Sequence, residues 1–212
     1  MQPVADPLVD FALRALATLF VVVDPAGLVP AYVALVGTRG ARADVAGRAV
    51  AIAGVVLLAF AVIGGPLLSY LGVTLGALQV AGGVLLFRIA VDMVFAQLRR
   101  ETPEEAAEAR AREDVSVFPL AIPLIAGPGA MASSLILTSE AAATPGGYLV
   151  LLIAGAAVLA SAYLVLRGSK RVVELLGQTG INVVTRVLGL VLAALAVQYV
   201  ADGVFGLGLV PV

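Results

Sequence analysis

The chain has 212 residues, 61% of them hydrophobic and 13% charged, with a net charge of −1 and neither cysteine nor histidine. Soluble domains carry roughly 45–50% apolar and about 25% charged residues, so the apolar excess here has to face lipid. The missing residue types exclude disulfides, thiol catalysis, thiolate metal sites and imidazole proton relays, and the near-neutral charge offers nucleic acid no general attraction.

A hydrocarbon core about 30 Å thick takes roughly 20 residues of helix. Apolar runs near 8–36, 45–71, 74–97, 117–138, 146–167 and 180–208 therefore predict six transmembrane helices. The alternating segments of about ten residues that build a spanning barrel are absent. No lysine or arginine precedes the first run and no small-residue cleavage site closes it early, so it is expected to remain as a span.

Span one is interrupted by Asp24-Pro25-Ala26-Gly27 and carries Pro30 beyond. Proline lacks a donor and clashes with the carbonyl four residues back, so Pro25 and Pro30 should break this helix, and Gly27 permits the backbone a break requires. Asp24 lies about mid-span, where a carboxylate costs on the order of 2.5–3.5 kcal/mol. It could pair with a ligand ammonium, carry a proton, or cap the helix beginning at Pro25.

Span three carries Gln79, Arg88 and Asp92, the last two one helical turn apart and able to form an intrahelical pair. After it, Thr102-Pro103-Glu104-Glu105 reads as the start of a short solvated helix running to Asp114. That linker, 99–116, divides the chain into a first three-helix unit over 1–98 and a second over 117–212. Span four repeats the interruption: Pro119, Pro123 and Pro128 sit in an apolar run with Gly127 and Gly129, followed by Ser133 and Ser134. Span six carries Arg186 and Gln198. Small polar residues such as these serve either as interhelical hydrogen-bonding groups or as ligand contacts.

Ten of the 13 basic residues lie in alternate connections: Arg39, Arg42 and Arg48, then Arg99, Arg100, Arg110 and Arg112, then Arg167, Lys170 and Arg171. The positive-inside bias puts these connections in the cytoplasm and both termini outside. Three spans per half make the second half enter from the opposite side, so related halves would form an inverted repeat. Gly83-Val84-Leu85-Leu86 through Asp92 can be laid over Gly189-Leu190-Val191-Leu192 through Gln198, and the breaks in spans one and four correspond.

The fold expected is thus an all-α membrane protein of six helices in two inverted three-helix repeats, with helices 1 and 4 discontinuous. Irregular backbone at membrane depth is tolerated where protein shields it or where it lines a wet cavity, and paired breaks mark a binding site. A half-helix start offers free N–H donors to a carboxylate, while freed carbonyls and Asp24 suit an ammonium. Small residues on both sides leave room for a small side chain, so the expected ligand is a small zwitterionic amino acid.

Asp24-Pro25-Ala26-Gly27-Leu28-Val29-Pro30, Phe118-Pro119-Leu120-Ala121-Ile122-Pro123-Leu124-Ile125-Ala126-Gly127-Pro128-Gly129 and the stretch from Arg186 to Gln198 resemble the MarC family, which includes SnatA-type transporters of small neutral amino acids. The resemblance covers nearly the whole chain. It implies a bacterial or archaeal cytoplasmic membrane protein, moving amino acids such as glycine and alanine around discontinuous helices one and four. It places substrate at Asp24, Pro25, Gly27, Gly127, Pro128 and Gly129, the residues the breaks select, with Ser133 beside them. Arg88 departs from the uncharged residue the family leads one to expect.

The function expected is a secondary transporter, exporter or exchanger, with no enzyme activity, cofactor, metal or nucleic-acid partner. Its coupling ion, a proton or sodium, would use Asp24 first and Asp92 second, with Arg88 and Gln198 as the other intramembrane polar groups. A homo-oligomer is left open. The alternatives are an efflux protein for drugs or metabolites, against which the 6% aromatic content speaks, and a non-transporting scaffold.

Overall fold

The computed structural model describes residues 6–36, 42–95 and 114–208. These form eight helices: α1 (Pro7–Val23), α2 (Leu28–Val36), α3 (Arg42–Tyr70), α4 (Leu75–Val94), α5 (Ser116–Ile125), α6 (Pro128–Ala143), α7 (Gly147–Arg167) and α8 (Ser169–Gly206), with no strand among the described residues. Helices α3, α4, α7 and α8 are each long and apolar enough to cross a membrane. The pairs α1 with α2, bent by 43°, and α5 with α6, bent by 57°, qualify together, giving up to six spans.

The limbs of the bent spans are unequal. At about 1.5 Å per residue, α1 rises about 26 Å and α6 about 24 Å, and the described part of α2, which reaches the last described residue before 42, rises about 14 Å. Because span four runs opposite to span one when each bent pair is one span, the long limbs α1 and α6 share one side of the membrane and the short limbs α2 and α5 share the other.

The tightest pairing joins α4 to α8, antiparallel, along a line of glycines. A Cβ added to Gly83 would lie 2.6 Å from the Ala196 carbonyl oxygen, and one on Gly76 2.8 Å from that of Gly203. Gly189 approaches Met93 and Val94, and Gly203 approaches Gly76 and Val80. Apolar side chains gain little by exchanging lipid for one another, so such close backbone approach is how membrane helices associate. A second body of buried side chains, from Phe11 and Leu19 of α1 through Tyr32, Ile125 and Leu137 to Val158 and Leu166 of α7, joins the remaining helices. Outward residues such as Val55, Val62, Leu149, Ile153 and Leu190 stay exposed, as lipid-facing positions should.

Several boundaries differ from expectation. Pro30 falls in the first turn of α2, where its missing N–H has no helical partner to lose, so it does not break the chain. Span four continues to Ala143, which places Glu140 in helix rather than in a connection. Helix α8 starts at Ser169, with only Gly168 separating it from α7, but Gly177, with a φ of 62°, interrupts it, so the continuous helix of span six begins after Gly177, near the expected residue 180. The linker helix predicted over 102–114 lies outside the described residues except for Asp114.

Candidate functional site

Both interruptions form where the sequence puts proline. Pro25 offers no N–H, so α1 stops at Val23 and Asp24 turns to φ 43°, ψ 68°, a left-handed conformation that aspartate reaches more readily than most residues. The Asp24 backbone N–H donates to the Phe20 carbonyl at 3.0 Å, while its carboxylate Oδ1 accepts from the Gly27 N–H at 3.1 Å. Asp24 therefore closes one helix and fastens the turn into the next. The carbonyls of Val21 and Val23 lose their helical donors, one because Pro25 has none and the other because Gly27 gives its N–H to Asp24.

In the second interruption, Phe118 and Ile122 are extended, as residues before proline tend to be. The peptide bonds Phe118–Pro119 and Ile122–Pro123 are cis. Around them α5 makes wide bonds, with the Ala126 N–H reaching past the second of them to the Ala121 carbonyl at 2.8 Å. After Gly127, Pro128 starts α6 at a position where its missing N–H costs nothing, and no side chain caps this helix start.

The two breaks meet. A Cβ on Gly129 would touch Val22 at 3.5 Å and crowd Leu86 and Ile89 of α4, so the start of α6 lies against the end of α1. Asp24 is 8% exposed and Pro25 is also buried, while Gly27 is partly so. Gly27 has to be glycine for space, because a Cβ there would fall 2.0 Å from Asp24 Oδ2. Gly127 is equally constrained, by the Pro123 carbonyl at 2.6 Å. Ser133, one turn beyond Gly129, is fully buried and its hydroxyl has no hydrogen-bond partner.

Asp92, Arg88 and Gln198 find their partners on their own helices rather than at the breaks. Arg88 Nε stands 3.7 Å from Asp92 Oδ1, with the arginine largely exposed. Gln198 donates to Asp202 at 2.7 Å. Arg186 is exposed, and Ser134 accepts the Thr138 hydroxyl on its carbonyl.

The site contains one residue that the sequence reading passed over. Thr185 of α8 is buried, its Oγ1 has no hydrogen-bond partner, and it borders the same spot as the Asp24 carboxylate, 3.1 Å from the position a Gly27 Cβ would take. A signal for it existed: laying Gly83 on Gly189 sets Thr185 opposite Gln79, one of the polar residues singled out. Two long-range ion pairs were also missed. Arg14 of α1 reaches Glu140 of α6 at 3.7 Å, and Arg48 of α3 pairs with Asp114 just before α5.

The profile of MarC family integral membrane proteins matches residues 9–207. The chain belongs to the MarC family. Relatives similar to this MarC protein include a UPF0056 membrane protein of Archaeoglobus fulgidus, 37% identical with 92% of each chain covered. UPF0056 membrane protein YvbG of Bacillus subtilis is 33% identical over 93% of this chain and 96% of its own. YhcE of Escherichia coli, another UPF0056 membrane protein, is 31% identical over 89% of each. The MarC assignment thus spans bacteria and archaea, and no solved structure matches the chain.

Proposed function

We propose that this MarC protein is a secondary transporter, an exporter or exchanger, of small neutral amino acids such as glycine and alanine. It works by alternating access in the cytoplasmic membrane, with both termini outside. The observation that carries this reading is the meeting of two broken helices of opposite polarity. The C-terminal end of α1, with freed carbonyls and the buried Asp24 carboxylate, favours an ammonium. The uncapped start of α6 lies alongside and favours a carboxylate. Gly27, Gly127 and Gly129 keep the two breaks close together, since a Cβ at any of them would clash with a neighbour, which suits a ligand with a small side chain.

The inverted-repeat arrangement gains support from mirrored contacts. Gly83 approaches Val200 and Gly189 approaches Val94; Val94 and Val200 each stand 11 residues after Gly83 and Gly189 respectively. Such reciprocity is what a two-fold axis between α4 and α8 would produce, and it lets the halves rock about a site fixed between them.

The test is exchange of radiolabelled glycine and alanine in proteoliposomes, comparing wild type, Asp24→Asn and empty vesicles. Uptake by wild type that Asp24→Asn abolishes supports the reading. No exchange above empty vesicles, from demonstrably folded protein, would overturn the substrate assignment in favour of a scaffold or an efflux protein for other compounds.

A further inference from the structure

We infer that Thr185 is a ligand-contacting residue that makes the Asp24 site selective for a primary ammonium, an inference that rests on the transport reading above. The Asp24 carboxylate uses Oδ1 to hold the Gly27 N–H, which leaves Oδ2 as its outward acceptor. Oδ2 and the Thr185 hydroxyl both crowd the one spot beside Gly27 that a methyl group would fill, at 2.0 and 3.1 Å. Thr185 is 7% exposed and its hydroxyl makes no well-formed hydrogen bond, the Asp24 carboxylate being its polar neighbour. A buried hydroxyl that faces a buried carboxylate keeps its lone pairs free, a position that a bound donor would complete.

The number of acceptors identifies what binds. A hydroxyl can accept while donating its own proton to a neighbouring carboxylate. The break therefore offers Asp24 Oδ2, Thr185 Oγ1 and a carbonyl freed at the end of α1, Val21 or Val23. Three acceptors contributed by two helices match in number the three N–H donors of a primary ammonium. An N-methyl amino acid presents two donors and an N,N-dimethyl one presents one, so each methyl leaves a buried acceptor unpaired and adds bulk where Gly27 is already the largest residue that fits. Sites built to hydrogen-bond a group discriminate strongly against analogues lacking it. Thr185, on a different helix and in the other half of the chain from Asp24, also ties recognition of the amino group to α8.

The assignment is tested with glycine, N-methylglycine and N,N-dimethylglycine as competitors of labelled glycine exchange in proteoliposomes, using wild type, Thr185→Ala, Thr185→Val and Thr185→Ser. In wild type, inhibition should weaken in that order. Thr185→Ala and Thr185→Val should raise the glycine KM by about tenfold, while the N-methylglycine value moves less, so that discrimination collapses. Thr185→Ser should restore both. A purely structural threonine predicts something different: a lower melting temperature with the three compounds affected in parallel, or unchanged discrimination, and either result overturns the assignment. Should Thr185→Val fail to fold, the comparison of alanine with serine carries the same decision. Wild type exchanging no glycine at all would instead remove the reading underneath, a result distinguishable from glycine exchange that ignores Thr185.

Discussion

Asp24 does two jobs that a single substitution can separate. Its left-handed backbone and its bond to the Gly27 N–H are both available to asparagine, which tolerates the same conformation and keeps a carbonyl oxygen for the cap. Asp24→Asn should therefore fold with a melting temperature close to wild type and yet lose exchange, whereas Asp24→Ala should lose the cap as well, at about 1 kcal/mol, and melt earlier. Gly27→Ala attacks the same carboxylate from the other side: its methyl would displace Oδ2, so transport should fall even where detergent-solubilised protein remains monodisperse. Asp24 and Gly27 were legible in the sequence because an acid beside proline in an apolar run is costly and conspicuous. Thr185 was not, since one threonine in an apolar helix carries no such penalty until its partner on another helix is known.

At the scale of elements, the α4–α8 pair depends on backbone proximity. Replacing Gly83 or Gly203 by leucine inserts atoms where a carbonyl already lies 2.6 Å away, and should lower the melting temperature markedly through overpacking of about 1–3 kcal/mol. Gly65 and Gly155 provide the control, because a Cβ at either meets nothing within 4 Å. Alanine there should be neutral or stabilising by up to about 1 kcal/mol, through helix propensity. The long apolar helices and both breaks could be read from run length and proline placement. The early start of α8 could not, because Lys170, Arg171 and Glu174 read as a solvated connection, yet they occupy helical turns before Gly177. Pro30 misled for a related reason: a proline's effect depends on which turn of the helix it occupies.

For the molecule as a whole, the ion pair Arg14–Glu140 joins the two halves and Arg48–Asp114 ties the first half to the end of the linker, near opposite ends of the bundle, whereas the other ion pairs among the described residues, such as Lys170 with Glu174, stay within one helix. If the halves rock, each face must open by breaking its own pair. Glu140→Gln and Asp114→Asn should therefore shift cysteine-labelling accessibility of the site in opposite directions, and equal effects of both would argue against rocking. The Asp114 carboxyl is held below its ordinary value, first by the hydroxyl and backbone N–H of Ser116 and then by Arg48. A lowered folded-state value means that this contact is fully present above about pH 4, the ordinary carboxylate range, and is lost as pH falls through the lower folded value. Transport measured between pH 5 and 8 should thus show no inflection that Asp114→Asn removes.

The unequal limbs of the bent spans have an electrical meaning. With about 26 Å of described helix on one side of Asp24 and about 14 Å on the other, a charge held at the break would sit away from the middle of the described span. Moving one elementary charge across the full potential is worth about 2.3 kcal/mol per 100 mV. A charge leaving such a site toward either face would feel only the share of that potential on its own side. Voltage would govern exchange with one face of the membrane more steeply than with the other.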